Sequence, residues 1–326
     1  MIEILSSSAL ATVQDAGRLG SLRYGVGTAG AMDRLALAVG NLLLGNPEGA
    51  AALEIPVYPF QVRFTDDCAF AITGADGQAR LDQRAVAPWW VGQARKGQVL
   101  TIGLPVGGSG SRATLALAGG IDVPEVLGSR STQLRGAFGG LDGRALRQGD
   151  ILRAARPGVE HAVDFGVVPP AIGLPLSCDG LPAMRVLPAA EYTGFQADSR
   201  AAFWAGAWKI TAQSDRYGYR LQGTPLVPVA PMEIRSHGIV PGVIQVPSGG
   251  QPIVQMRDAQ PSGGYPKFGT VIEADLWRLG QAAIGSRVRF IETDYESAVA
   301  ALDEVQAWLD EVRRLVDLQR WALQRK

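Results

Sequence analysis

The chain has 326 residues, of which 47% are hydrophobic, and this length and composition are enough to fill the cores of two domains. Lysine and arginine together number 31, the same as aspartate and glutamate, so the sequence excludes a global basic field that would hold nucleic acid or an anionic membrane. No apolar run approaches the roughly 20 residues that span a bilayer. We therefore expect any partner to be bound at a local site.

The two cysteines, Cys68 and Cys178, lie far apart in the sequence and form no CxxC pattern. The N-terminal residues Met-Ile-Glu-Ile lack the charged and then apolar pattern of a signal peptide. Both observations predict a protein of the reducing cytoplasm.

Residues 25–30 read Gly-Val-Gly-Thr-Ala-Gly, a literal GxGxxG pattern that precedes a helical periodicity. Apolar residues recur at helical spacing over 33–44, with Asp33 as a candidate N-cap and Gly45 as a candidate stop, so we predict a helix there. A dinucleotide site is disfavoured, because that fingerprint requires a buried strand before the first glycine and residues 18–24 supply none.

The next residues, Asn46 and Pro47, are typical of the N-cap and first position of a second, short helix, which would lead into a strand from Leu53 to Phe64. The 41 glycines and 20 prolines, set among short runs of Val, Ile and Leu, favour a β-rich protein with tight turns. One further helix is predicted around 197–205. The other predicted strands are Cys68–Thr73, Val99–Leu104, Ala113–Ala118, Ile151–Ala154, Met184–Leu187, Lys209–Ala212 and Tyr219–Leu221.

A similar phrase occurs three times, at 94–99, 146–151 and 283–288, and each time a glycine turn precedes a predicted strand. Regular spacing of strands and turns is typical of a barrel or sandwich. The recurrence near both ends suggests two lobes of related design, although the phrase is too short to establish a duplication.

The prolines and weak periodicity of 156–182 predict a crossing between two lobes, 1–155 and 183–290. In the final segment, 291–326, apolar residues from Val299 to Val316 alternate three and four apart, with charged residues on the other face. This pattern predicts one amphipathic helix, packed either on its own domain or on a partner subunit.

Chemically capable side chains concentrate in residues 236–272. Two apolar runs, Val243–Val246 and Pro252–Met256, flank the turn-forming residues 247–250, which predicts a β-hairpin. The second run leads into a glycine-rich loop, where a ligand could approach the backbone closely and a rigid sheet could aim the polar groups. We predict a functional site at this loop. Its candidate residues are Arg257, Asp258, Gln260, Gly263, Gly264, Tyr265 and Lys267.

If these groups converge, they can polarise a carbonyl, hold an anion and move a proton. Asp258 would act as a base or an orienting group, and Lys267 as a cation or an acid. The alternative for Asp258 is a bond within an Asx-type turn.

A second polar cluster is the glycine loop 128–140, which contains Ser129, Arg130 and Arg135. Arginine forks and free backbone amides suit phosphate or carboxylate oxygens, and each charge-assisted bond contributes about 1.5–3 kcal/mol where solvent is excluded. Arginines that hold the loop in place by bonding backbone carbonyls are an equally good interpretation.

Several reaction classes find no support in the sequence. The two histidines, His161 and His237, have no second ligand of metal-binding type nearby, so a histidine-based zinc or iron site is not expected. We interpret His237 as a packed or solvated histidine rather than a catalytic one. GxSxG elbows, Walker loops and paired Cys and His motifs are absent, which disfavours serine hydrolase and P-loop chemistry.

Several longer motifs occur in an order that a known family shares. They are Thr12–Arg18, Gly30–Asp33, Gly119–Pro124, Leu127–Thr132, and Ile244–Pro247 followed by Gly263–Val271. On these motifs the chain, from residue 1 to about residue 290, resembles the carboxyltransferase-like family that comprises the C subunit of 5-oxoprolinase, the second subunit of allophanate hydrolase and the antagonist of the Kip kinase inhibitor.

The resemblance implies a mainly β fold with a few helices, namely two cyclophilin-like β-barrel lobes plus the C-terminal amphipathic helix. It also implies a heteromer with a homologous, B-type subunit and an amidohydrolase-type third subunit. In 5-oxoprolinase members the complex couples ATP hydrolysis, with Mg, to opening of the 5-oxoproline lactam, which gives glutamate. Urea amidolyase relatives use the same module to carboxylate urea from carboxybiotin. Both reactions stabilise an oxyanion on an amide-like carbonyl.

The leading interpretation is therefore a subunit of an ATP-dependent, 5-oxoprolinase-type amide hydrolase, weakly active or inactive alone. In this interpretation Arg130 and Arg135 hold phosphate or carboxylate, Lys267 and Gln245 polarise the carbonyl, and Asp258 orients water or accepts a proton. The other binding residues would be Ser129, Gln260, Gly263, Gly264 and Tyr265. The alternatives are a urea carboxylase or allophanate-pathway subunit, and a non-enzymatic module that antagonises a kinase inhibitor.

The sequence departs from the family pattern in two places. The usual Asp-x-Gln-Thr-Thr-Gly-Gly-Tyr has Pro261 and Ser262 in place of the threonines, and proline has no NH to offer an oxyanion. The Met-Lys-Met attachment motif is absent, so any biotin must be carried by another protein, which weakens the carboxyltransferase interpretation. We expect the loop 128–140 to complete the site from the other lobe.

Overall fold

The computed structural model describes residues 1–7, 10–108, 110–156 and 165–323. Residues 157–164 of the predicted crossing, including His161, lie outside the described residues. The chain divides into two compact units. The first comprises Met1–Leu19, Ala29–Gly173 and Ala307–Lys326, and the second comprises Gly20–Thr28 and Leu174–Gln306.

The first unit is built from two antiparallel sheets, one long helix of its own and the C-terminal part of the last helix of the chain. Its elements are β1 (Ile2–Ser6), β2 (Thr12–Gln14), α1 (Arg34–Leu44), β3 (Ala52–Ile55), β4 (Phe60–Phe64), β5 (Cys68–Gly74), β6 (Arg80–Leu81), β7 (Arg84–Ala85), β8 (Trp90–Ala94), β9 (Val99–Ile102), β10 (Ala113–Leu117), β11 (Ile121–Asp122), β12 (Ile151–Ala154) and α2 (Pro170–Gly173). One sheet has the order β11-β12-β1-β4-β9-β6-β7 and the other β2-β3-β10-β5-β8. Apolar side chains of both sheets form one core, for example Ile2 and Phe64 from the first and Val13 and Phe70 from the second.

Helix α1 confirms the predicted helix and both of its ends. The Oδ1 of Asp33 accepts a hydrogen bond from the amide of Ala36 at 2.9 Å, which satisfies one of the otherwise unpaired donors of the first turn. Gly45 ends the helix in the left-handed conformation, with φ of 72°. Nearly every residue of α1 is buried, because the helix packs on β5 and β10.

The predicted short helix at Asn46 and Pro47 is wrong. Asn46 is buried, and its side chain forms three hydrogen bonds that a helix N-cap would forgo: its Nδ2 donates to Leu117 O at 2.8 Å and to Asn41 Oδ1 at 2.9 Å, and its Oδ1 accepts from the amide of Gly119 at 2.8 Å. These bonds fix a turn after α1 instead. Long-range partners are invisible to local helix signals, which explains the error.

The single strand predicted from Leu53 to Phe64 is two strands, β3 and β4, which belong to different sheets. Pro56 and Pro59 lie between them, and a proline cannot donate to a sheet ladder. The predicted strands between Cys68 and Ala154 end within about two residues of β5, β9, β10 and β12.

The second unit is a closed barrel. Its elements are β13 (Ser177–Cys178), β14 (Leu181–Pro188), α3 (Ala197–Ala205), β15 (Trp208–Ile210), β16 (Gly218–Gln222), β17 (His237–Gly238), β18 (Val243–Gln245), β19 (Ile253–Gln255), β20 (Ser262–Gly263), β21 (Lys267–Val271), α4 (Leu276–Gln281) and β22 (Arg287–Glu292). Seven strands pair in the order β14-β21-β18-β19-β16-β15-β22, and β22 pairs back onto β14 in parallel. The ring therefore has no open edge. Strands β17 and β20 form a separate two-stranded sheet.

Aromatic packing and one buried carboxylate stabilise this barrel. The ring of Phe203, from α3, stacks on Phe290 of β22 with centroids 5.0 Å apart and lies 4.3 Å from Phe268 of β21. Asp275 is fully buried and accepts from the Nε and Nη2 of Arg185 at 2.9 and 2.8 Å. This bidentate pair holds β14 beside the segment that begins α4, and it raises the pKa of Arg185.

The last helix, α5 (Tyr295–Leu323), confirms the predicted amphipathic helix and crosses from the second unit into the first. Val305, Leu309, Val312 and Val316 are buried as the spacing predicts, whereas Val299 and Leu302 of the same predicted face are 42% and 47% exposed. In the first unit Arg320 Nη2 donates to Leu42 O at 2.7 Å, and Arg313 pairs with Glu48. This part of the helix therefore packs on its own chain, as the first of the two alternatives predicted.

The phrase that occurs three times has the same local structure each time. Gly97, Gly149 and Gly285 have φ of 91°, 88° and 89°, a conformation that favours glycine. In each case the glycine amide donates to a carbonyl of a neighbouring strand, and the strand that follows begins within two residues.

The closed barrel of the second unit and helix α5 confirm the predicted mainly β fold with a barrel and a C-terminal helix.

The carboxylate of Asp150 holds the turn before β12. It accepts from Arg144 Nη1 and Nη2 at 2.7 and 2.9 Å and from the amide of Arg147 at 2.8 Å. The hydrogen bonds from Arg144 lower the pKa of Asp150 below its ordinary value.

We expect Asp150→Asn to lower the free energy of unfolding of the first unit by about 1 kcal/mol at neutral pH. Because the folded-state pKa is depressed, this stabilisation is present above the unfolded-state pKa of about 3.9 and is lost as pH falls through the lower folded value. Urea unfolding at pH 7 and at pH 3 should show the difference between the two proteins shrinking in acid.

The matched control is Asp142→Asn, since Asp142 also lies 3.4 Å from Arg144 but its side chain is 72% exposed. Equal losses for the two variants, or a loss at Asp150 that does not depend on pH, would contradict the assignment.

Candidate functional site

The predicted hairpin is present, and its first strand lies between two neighbours in the barrel. Strand β18 pairs with β19 through Ile244 and Val254, and with β21 through Gln245 and Lys267. The structure therefore brings together two residues that the sequence marked as catalytic candidates. Lys267 is the first residue of β21 rather than a loop residue, so its backbone is fixed by the barrel.

The amine of Lys267 lies between a histidine and a carboxylate. Its Nζ is hydrogen-bonded to the Nε2 of His237 and lies 3.6 Å from the Oε1 of Glu191. The lysine side chain is 19% exposed and that of Glu191 20%, so solvent screens this group only in part. The other oxygen of Glu191 is buried and has no hydrogen-bond partner in the described part of the chain.

His237 belongs to the small sheet that lies beside this amine. It pairs with Gly263 across β17 and β20, and its Nδ1 lies 2.9 Å from the carbonyl oxygen of Arg235. Both ring nitrogens therefore have partners, one from the backbone and one from Lys267.

Gln245 is 2% exposed and is held by a second glutamine. Its Oε1 accepts from the Nε2 of Gln255 at 3.0 Å, while its own Nε2 is buried with no partner among the described residues. A buried donor without a partner costs about 1–3 kcal/mol. Gly263 lies directly against this amide, since a Cβ at 263 would be 2.5 Å from the Nε2 of Gln245.

Asp258 takes part in a separate ion pair. It is 2% exposed, and its two oxygens accept from the Nε and Nη2 of Arg216, both at 2.9 Å. Its carboxylate is thus used by an arginine 42 residues away in the sequence. The neighbouring Arg257 donates to Glu273 at 2.8 Å.

The remaining predicted residues of this stretch divide between surface and packing positions. Gln260 is exposed and Tyr265 is 52% exposed. Gly264 allows a close approach of its own chain, since a Cβ there would lie 3.0 Å from the carbonyl of Ile234.

The GxGxxG pattern is explained in part by a similar approach within the second unit. A Cβ at Gly27 would lie 2.6 Å from the carbonyl oxygen of Ala259, and the hydroxyl of Thr28 donates to Arg257 O at 3.3 Å. Residues 18–30 contain no strand, in agreement with the sequence argument against a dinucleotide site.

In the first unit, the loop 128–140 is organised by Asp15. The Oδ1 of Asp15 accepts from the hydroxyls of Ser129 and Ser131 at 2.7 and 2.5 Å, and its Oδ2 accepts from the amide of Arg130 at 2.5 Å. The amide of Gly17 also donates to Oδ1, at 2.8 Å. Two motifs far apart in sequence, Thr12–Arg18 and Leu127–Thr132, therefore form one hydrogen-bond network.

The guanidinium of Arg130 holds the same loop. Its Nε donates to the carbonyl of Val123 at 3.2 Å and its Nη1 to Glu125 at 3.3 Å. These contacts match the interpretation in which an arginine holds the loop in place, whereas Arg135 is exposed. Anion binding by this loop stays a prediction.

The described residues contain neither a metal-binding cluster nor a membrane-spanning helix. Among them, no three or more His, Cys, Asp or Glu side chains are grouped so as to hold a metal ion. Across the same part of the chain, no helix combines the length and the apolar character needed to cross a membrane.

Comparison with known proteins assigns the chain to a family, since residues 24–292 match the carboxyltransferase domain, subdomain A and B. The chain belongs to the carboxyltransferase-domain family. The resemblance stated from the motifs is thereby confirmed.

Two curated relatives of this carboxyltransferase-domain protein match over almost their whole length. It is 40% identical to the C subunit of 5-oxoprolinase from Haemophilus influenzae, over 97% of this chain and 99% of the relative. It is 42% identical to the C subunit of 5-oxoprolinase from Escherichia coli, over 96% and 97% respectively. The crystal structure of the K. lactis urea amidolyase superposes on 95% of this chain with a TM-score of 0.86 at 29% identity, and the match covers 20% of that larger chain.

Sequence reasoning missed four residues that organise the two regions of this carboxyltransferase-domain protein. His237 was interpreted as an ordinary histidine, and Glu191, Arg216 and Asp15 were not expected at a site. For His237 a usable signal existed, because it lies in the same stretch as Lys267. Glu191 follows β14, which pairs with β21, and Arg216 precedes β16, which pairs with β19. These pairings join both residues to the stretch, and local patterns do not reveal them.

We expect Gly263→Ala to destabilise the second unit by about 1–3 kcal/mol, because its Cβ would overlap the buried amide of Gln245. Thermal and urea unfolding of the purified chain measure this loss. Gly249→Ala is the control, since nothing lies within 4 Å of a Cβ at that position.

A second comparison isolates the cause. In the Gln245→Ala background the amide is gone, so adding Gly263→Ala should cost measurably less than it does in the original chain. If the cost is the same in both backgrounds, Gly263 is required for another reason.

Proposed function

We propose that this carboxyltransferase-domain protein is the C-type subunit of an ATP-dependent 5-oxoprolinase, which opens the lactam of 5-oxoproline to give glutamate together with partner subunits. The observation that carries the proposal is the identity of 40–42% to two proteins named as the C subunit of 5-oxoprolinase, over 97–99% of those proteins. A match of that extent includes the C-terminal helix as well as the domain shared with larger enzymes.

The geometry around Lys267 supports this chemistry. Opening a lactam places negative charge on the carbonyl oxygen when water attacks, and preorganised donors stabilise that charge. Lys267 supplies a cation on a fixed strand, and Gln245 supplies a buried N–H with no partner in the described residues. In our proposal these two groups polarise the substrate carbonyl, with Gly263 and Gly264 shaping the wall beside them.

The proposed role of Asp258 follows from its ion pair. Because both of its oxygens are used by Arg216, we assign it the orienting function rather than proton acceptance. Arg216 would then be held in one direction beside the site. Gln260 and Tyr265 remain candidates for substrate contact at the exposed side of the loop.

We assign ATP and its Mg to the partner subunits. A phosphate cradle needs free backbone amides, and in the loop 128–140 the amide of Arg130 donates to Asp15 and that of Ser131 to Ser129 Oγ. Arg135 is the residue of this loop that we retain as a candidate for a phosphate or carboxylate contact. The partners would be a homologous B-type subunit and an amidohydrolase-type subunit, in the cytoplasm, where ATP is supplied.

The test is reconstitution of the purified chain with the products of its neighbouring genes, followed by incubation with 5-oxoproline and ATP and measurement of glutamate. We expect glutamate release by the complex and little or none by the single chain. Lys267→Met should lower kcat about 100-fold or more, the usual cost of removing an oxyanion donor. Lys209→Met is the matched control, because Lys209 is an exposed lysine of the same barrel.

Full activity of the Lys267→Met complex, with normal assembly and thermal stability, would refute the assigned site. Absence of glutamate in every combination of partners would refute the function itself.

A second candidate is a urea carboxylase-type carboxyltransferase subunit, which the TM-score of 0.86 to a urea amidolyase favours. The same assay is therefore run with urea, bicarbonate, ATP and a biotin-carrying partner, and formation of allophanate is the readout. In a parallel reaction allophanate replaces urea, and release of ammonia is the readout. Turnover of urea without turnover of 5-oxoproline would replace the first function by the second.

A further inference from the structure

His237, Lys267 and Glu191 form a chain of contacts that begins at a backbone carbonyl. The Nδ1 of His237 lies 2.9 Å from the carbonyl oxygen of Arg235, and its Nε2 is hydrogen-bonded to the amine of Lys267. That amine lies 3.6 Å from the Oε1 of Glu191. Each member comes from a different part of the barrel region: His237 from β17, Lys267 from β21, and Glu191 from the segment just before a 3₁₀ turn at Tyr192–Gly194.

The carbonyl fixes the tautomer of the histidine. A carbonyl oxygen accepts hydrogen bonds and cannot donate them, so Nδ1 must carry the hydrogen. In the neutral ring the other nitrogen, Nε2, then has a free lone pair. That lone pair is the acceptor for one N–H of Lys267.

These contacts also restrict the directions in which the other two N–H bonds of the amine can point. A lysine ammonium has three donors on a flexible four-carbon stem, and a single acidic partner leaves it free to rotate among several positions. With one N–H held by His237 and Glu191 at 3.6 Å, an N–H with no further partner among the described residues is available to a substrate oxygen. Such positioning matters, because a displacement of about 1 Å at a reacting group can cost 100-fold in rate.

We propose that His237 is a positioning residue of the site: held as the Nδ1–H tautomer by the carbonyl of Arg235, it directs the amine of Lys267 toward the substrate carbonyl. The inference rests on the proposed function for its effect on the reaction. The histidine–lysine bond itself is independent of that function and can be measured without it.

The first experiment is long-range ¹H–¹⁵N correlation NMR of the full chain labelled with ¹⁵N-histidine at pH 8. The sequence has only two histidines, so His161→Gln assigns the signals of His237. We expect a protonated Nδ1 and a hydrogen-bonded, unprotonated Nε2. Lys267→Met should move the Nε2 resonance toward that of a free ring nitrogen, and the control Lys209→Met should leave it in place.

A protonated Nε2 at pH 8, or an Nε2 resonance that does not respond to Lys267→Met, would overturn the proposal. This result stands whether or not the complex hydrolyses 5-oxoproline, so failure of the proposed function and failure of this inference are distinguishable.

The second experiment measures kcat and KM of the reconstituted complex at pH 8. His237→Gln keeps an acceptor near the position of Nε2, so its rate should stay within about tenfold of the original. His237→Ala removes that acceptor and should lose about 100-fold in kcat, with thermal unfolding used to confirm that both variants fold.

Equal losses for His237→Gln and His237→Ala would contradict the role of the acceptor. Equal rates for His237→Ala and the wild type would contradict positioning.

Discussion

The parallel pairing of β14 with β22 closes seven strands of the second unit into a ring, and the proposed site is built on strands of that ring. A closed ring leaves no edge strand. Within it, the antiparallel pairing of β18 with β21 places Gln245 opposite Lys267. The closure is supported by Phe203 stacked on Phe290 and by Asp275 paired with Arg185.

Close backbone approach is the second constraint, and it gives the glycines of both regions a physical reason. A Cβ at residue 263 would overlap the buried amide of Gln245, and a Cβ at residue 27 would overlap the carbonyl oxygen of Ala259. In the first unit the carboxylate of Asp15 gathers two serine hydroxyls and two amides, which accounts for motifs that local structure leaves unexplained. At these positions close packing alone is a sufficient reason for glycine.

Much of the fold could be predicted because its signals are local. The Asp33 cap, the left-handed glycines before strands and the spacing of the last helix all depend on near neighbours, and these predictions are confirmed. The prediction of a short helix at Asn46 is wrong because the side chain of Asn46 forms its hydrogen bonds with β10 and the residues after it. The location of the candidate site followed from the concentration of polar residues after a strand. Its internal pairing did not, because Arg216, the partner of Asp258, lies 42 residues away in the sequence, and Glu191, beside Lys267, lies 76 residues away. The family motifs specify which residues recur, whereas the contacts show which of them hold the chain and which have spare hydrogen-bonding capacity.

The central claim is that the carbonyl of the substrate is bound by Lys267 and Gln245 at the end of the barrel. A crystal structure of the reconstituted complex with 5-oxoproline and a non-hydrolysable ATP analogue tests it most directly. We expect the lactam oxygen within hydrogen-bond distance of the Nζ of Lys267, with the Nε2 of Gln245 as a second donor and the nucleotide on a partner protein. Density for 5-oxoproline that makes no contact with Lys267, whether on another surface of this chain or wholly on a partner, would contradict it.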